Sequence, residues 1–90
     1  MNPFPAPAKP VSSRDAQDVA NHHWFELMGW QDTSREAEDY IAKFRGDTVA
    51  YLHARDTAAT AARHVHFHRG QHKHWTHRAT TLRAQEGALL

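Results

Sequence analysis

The sequence predicts an all-α fold, a small three- or four-helix bundle preceded by an extended, proline-rich N-terminal arm. Three observations carry this expectation. Apolar residues recur at i, i+3, i+4, i+7 spacing, residues that cap and stop helices punctuate them, and all four prolines fall within the first ten positions. The expected layout is an arm over 1–11, one helical domain over 12–86 and a frayed tail at 87–90. Within the domain, helices are expected at about 13–28, 34–45, 47–69 and 72–85.

In the arm, Pro3, Pro5, Pro7 and Pro10 deny the backbone regular hydrogen bonding and favour a polyproline-like path. It lacks the basic and continuous apolar regions of a signal peptide. No window approaches the roughly 18 apolar residues of a membrane span, so no membrane association is expected and the cytoplasm, or incorporation in a particle, is the default location. With no cysteine, disulfides and thiolate metal sites are excluded. The roughly 75 residues after the arm bury only a modest core, and a domain of that size points to an oligomer or a bound partner.

Ser12 or Ser13 caps the first helix, with Asp15 in its first turn. Ala16, Val19, Ala20, His23, Trp24, Leu27 and Met28 form one helical stripe, which Phe25 leaves, and Gly29 is placed to end it. "TSRE" (Thr33 to Glu36) reads as a capping box opening a second helix with the stripe Ala37, Tyr40, Ile41 and Phe44, stopped at Gly46. Asp47 caps a third helix whose thin apolar face is Val49, Leu52, Ala59 and Ala62; Gly70 ends or kinks it. The last segment offers Trp75, Ala79 and Leu82, and Gly87 closes it. Strict alternation in "HVHFH" would put His64, His66 and His68 on one strand face. The lack of a turn residue before it favours continued helix.

Charge is uneven along the chain. Residues 1–56 hold nine acids against six Lys/Arg, net −3; residues 57–90 hold five Lys/Arg against Glu86 alone, net +4. Such a chain can meet an anionic partner or pair with copies of itself. The stretch "RHVHFHRGQHKHWTHR" (Arg63 to Arg78) holds six of the nine histidines. His64 and His68 at i, i+4, and His74 and His77 at i, i+3, would suit zinc, copper or nickel if the chain reversed at Gly70. The lack of a nearby carboxylate and four fixed positive charges oppose this, so no metal and no cofactor is favoured. Arg63, Arg69, Lys73, Arg78 and Arg83, with Phe67, Trp75 and the imidazoles for stacking, would serve a nucleic acid or an acidic partner. Nine ordinary imidazoles would carry about +2 at pH 7 and about +8 at pH 5.5, a latent pH response. No nucleophile elbow, phosphate loop or HExxH motif is present, and no enzyme is expected.

"HWFELMGW" (His23 to Trp30) holds more apolar surface than one stripe hides, so Trp24, Phe25, Met28 and Trp30, with Phe4 of the arm, are the expected partner contacts. "LMGW" is similar to the Met-Gly-aromatic loop of the UBA domain, the three-helix ubiquitin-binding module, and "GDTVAYL" resembles the start of its third helix. That resemblance implies a loop at Met28, Gly29 and Trp30 that touches a partner. The functional expectation is a non-catalytic binding or assembly protein, such as a structural or accessory component of a viral or other large particle. Its basic, histidine-rich C-terminal segment would add a second contact face. The alternatives are a nucleic-acid-binding module over 63–83 and a histidine-ligated metal protein.

Overall fold

The structure is a computed structural model that describes residues 11–43 and 48–88. It consists of two long antiparallel helices, α1 (Ser13–Lys43) and α2 (Thr48–Ala88). Helix is the only regular structure among the described residues, so the all-α expectation is met and "HVHFH" is helical. The architecture is not a three- or four-helix bundle. The helices expected at 13–28 and 34–45 are one, as are those expected at 47–69 and 72–85. The hairpin is a slab of 64 × 24 × 13 Å, and its long dimension agrees with a 41-residue helix rising about 1.5 Å per residue.

Gly29 and Gly70 were expected to break the chain and do not. Both lie inside helix with no positive φ, and Gly87 likewise falls within α2 instead of a frayed tail. A glycine inside a helix costs about 1 kcal/mol relative to alanine, which burial on either side can outweigh. At Gly29 that burial comes from Leu27 before it and half-buried Trp30 after it. The expected capping box is interior as well: the Thr33 hydroxyl donates to the Gly29 carbonyl one turn back, 3.1 Å away. A UBA-type loop at Met28–Trp30 is therefore ruled out by continuous helix. The proline arm with Phe4, and the expected stop and cap at Phe44, Gly46 and Asp47, lie outside the described residues.

Ser12 is the cap of α1. Its Oγ accepts from the Asp15 amide at 3.1 Å and its carbonyl from the Ala16 amide at 3.0 Å. A second acceptor comes from the far end of the chain. Glu86 takes the Ser13 amide on Oε1 at 2.8 Å and the Ser13 hydroxyl on Oε2 at 2.6 Å, joining the end of α2 to the positive start of α1. These bonds hold the Glu86 carboxyl below its ordinary value of 4.5.

The interface runs the length of both helices. On α1, Ala16, Ala20, His23, Leu27 and Ala37 are buried; on α2, Ala54, Ala61, His68, Ala79 and Leu82. Four of the α2 residues (54, 61, 68 and 82) and half-buried Trp75 recur every seventh position, the period at which a helix keeps one face toward its neighbour. The third-helix face expected from Val49, Leu52, Ala59 and Ala62 is outside: Val49 is 80 % exposed and Leu52 56 %. Alanines occupy several faces of this stretch, and the face facing α1 is the one that lets the backbones approach. At the open end, Ala16, Ala79 and Leu82 form an apolar cluster joined by Val11 and Trp75.

Candidate functional site

Near the middle of the hairpin the interface changes from apolar to polar. His23 of α1 and His68 of α2 are buried, and their Nδ1 atoms lie 2.8 Å apart. Two imidazoles can hydrogen-bond nitrogen to nitrogen only if one carries the hydrogen and the other offers a lone pair. His68 Nε2 faces Glu26 Oε2 at 4.0 Å. The carboxylate favours a hydrogen on that Nε2, which makes His68 Nδ1 the acceptor and His23 Nδ1–H the donor.

Further rings pack around the pair. His64 stacks over His68 with centroids 6.1 Å apart, and Trp30 lies flat on His64 at 3.9 Å and 5°. His22 and Phe67 meet His23 edge-on, and Trp24 leans on His72 at 5.3 Å. The pKa values of both buried histidines are held below the ordinary 6.5. For His23 the main cause is burial, then the charge of His68 and His22, opposed by Glu26. For His68 burial again leads; Glu26 pulls upward without overcoming it, while His64 and His22 add to the depression. The site holds two neutral rings joined by one proton, and a second proton on the bridging Nδ1 would break the bond.

The metal candidates do not converge. His64 and His68 are stacked at 16°, so their planes lie nearly parallel. Because α2 passes straight through Gly70, His74 and His77 lie further along the same helix, both exposed. Among the described residues no group of three or more His, Cys, Asp or Glu is placed to hold a metal ion. Of the basic candidates, Arg63, Arg69, Lys73 and Arg83 are exposed and Arg78 is half-buried. Trp75 is half-buried with its Nε1–H given to Gln71 at 3.2 Å, so its ring belongs to the hairpin.

The expected partner contacts divide. Trp24 is 47 % exposed and Phe25 77 %, whereas Met28 and Trp30 are half-buried, Trp30 against His64. Phe67, at 54 % exposure, belongs with the first group, although the sequence suggests it only as a stacking face for a nucleic acid. The His23–His68 pairing was not expected from the sequence. The seven-residue spacing of Ala54, Ala61, His68, Trp75 and Leu82 is the signal that would have placed His68 inside.

Fold and site define the protein as an antiparallel α-helical hairpin with a histidine pair in its interface. No protein-family model matches the chain, and neither a curated protein sequence nor a solved structure does. Among the described residues no helix is long and apolar enough to cross a membrane.

Proposed function

We propose that this chain is a non-catalytic assembly protein that binds other proteins through the aromatic surface of its hairpin. The observation that carries this reading is the exposure of Trp24, Phe25 and Phe67 on a molecule whose buried apolar core, among the described residues, is alanine apart from Leu27 and Leu82. Large aromatics on the outside and small residues within are the reverse of a self-sufficient fold, and aromatics are the residues that anchor interfaces. The test is native mass spectrometry of untagged protein isolated from its source. A complex that Trp24→Ala and Phe25→Ala weaken supports the reading; a lone, well-folded chain rejects it.

The charge of α2 favours a second reading, binding of a nucleic acid along residues 63–83. α2 carries six Lys/Arg against Asp56 and Glu86, and Arg63, Arg69, Lys73 and Arg83 point outward. It predicts a gel-shift affinity that falls steeply with added salt. Absence of any shift at low salt removes it.

A further inference from the structure

We propose that a second copy of this chain completes the hairpin, with Phe67 of each copy seated in a notch on α1 of the other, formed by Glu26, Gly29, Trp30 and Thr33. This names the partner in the assembly reading and rests on it. The notch measures about 320 Å³ and is rimmed by Phe25. Its four positions are spaced i, i+3, i+4, i+7, the hole that a knob from a facing helix enters. Gly29 leaves it open, since a Cβ there would meet nothing within 4 Å. Knob and notch share a side of the hairpin: Trp30 of the notch stacks on His64, one turn before Phe67.

Charge selects the occupant and its direction. α1 holds seven acids against three Lys/Arg, net −4, and α2 holds six Lys/Arg against two acids, net +4. A two-fold axis parallel to the helices lays α1 of each copy antiparallel against α2 of the other, so opposite charges face. A two-fold axis across the helices would instead stack acidic on acidic and basic on basic. The parallel axis also preserves height along the hairpin. Trp30 lies level with His64, which puts Phe67 within one turn of the notch, and a helical side chain leans back toward its own N-terminus. Each copy then fills the other's notch, covering the exposed Phe67 and Phe25.

Sedimentation velocity of the purified full chain, at low and high salt, tests this. The expected result is a dimer that salt weakens and that Phe67→Ala weakens at least about tenfold. Gly29→Leu is the companion variant: it fills the notch with a better helix former, so it should weaken the dimer while helicity by circular dichroism holds or rises. A monomer, or a dimer that neither variant weakens, overturns the proposal. A chain monomeric alone that still travels with a different protein from its source loses the second copy but keeps the assembly reading. A monomer in both settings loses both.

Discussion

The open end and the middle of the hairpin solve the same packing problem with different chemistry. At the open end, Ala16, Ala79 and Leu82 meet as apolar surface and Glu86 fastens Ser13 above them. In the middle, the positions that should hold such residues hold His23 and His68. Apolar contact is indifferent to protons over the physiological range, whereas an imidazole pair is stable only while it stays neutral. The open end and the middle of one interface should therefore respond differently to acid, although they belong to the same pair of helices.

The largest effect should come from the open end. Leu82→Ala removes its one large, nearly buried side chain and should cost about 2 to 5 kcal/mol. Urea melts should give the same cost at about pH 7.5 and about pH 5, because the buried His23–His68 pair is not part of that cluster. A cost that changes with pH would blur the comparison.

The middle comes next. Because the folded pKa values of His23 and His68 lie below 6.5, the unfolded chain binds more protons in the window below 6.5. The stability that the neutral pair contributes is fully present above 6.5 and is lost as pH falls through that value toward the lowered folded ones. Thermal melts across this range should fall with acid. Replacing both rings, His23→Leu with His68→Leu, should flatten that slope at little cost. His23→Leu alone should cost about 1 to 3 kcal/mol at neutral pH by leaving the His68 Nδ1 unpaired. Equal slopes in the wild type and the double variant would move the acid response elsewhere.

Glu86→Gln should have the smallest effect, a slight drop in melting temperature at neutral pH that vanishes in strong acid. Its folded pKa is lowered, so its contribution is present above 4.5 and lost as pH falls through the lowered value. A drop that persists when the carboxylate is protonated would mean the Ser13 contact acts by packing and not by charge.

Much of α1 was legible in the sequence because its apolar residues repeat on one face: Ala16, Ala20, His23 and Leu27 are buried as the stripe implies, although Trp24 of the same stripe is 47 % exposed. α2 was not. Ala54, Ala58, Ala59, Ala61 and Ala62 supply small residues on several faces, so periodicity within the helix cannot choose among them. The choice is made by α1, through the register that pairs His23 with His68, and long-range register is not written in local spacing. Gly29 and Gly70 misled for the opposite reason. Their local cost is real, but burial along the whole hairpin exceeds it. Excess apolar surface around Trp24 and Phe25 is visible from composition alone, whereas Phe67, set in the histidine run, reads there as a stacking face for a nucleic acid and not as a protein contact.

The most direct test of the central claim is a 15N-detected titration of the histidine rings in the intact chain. At neutral pH, His23 should show a hydrogen on Nδ1 and His68 one on Nε2, and each should protonate below 6.5 as the hairpin loosens. If both rings show the same tautomer, or if either becomes charged at or above 6.5 with the helices still docked, the interface does not depend on a shared proton.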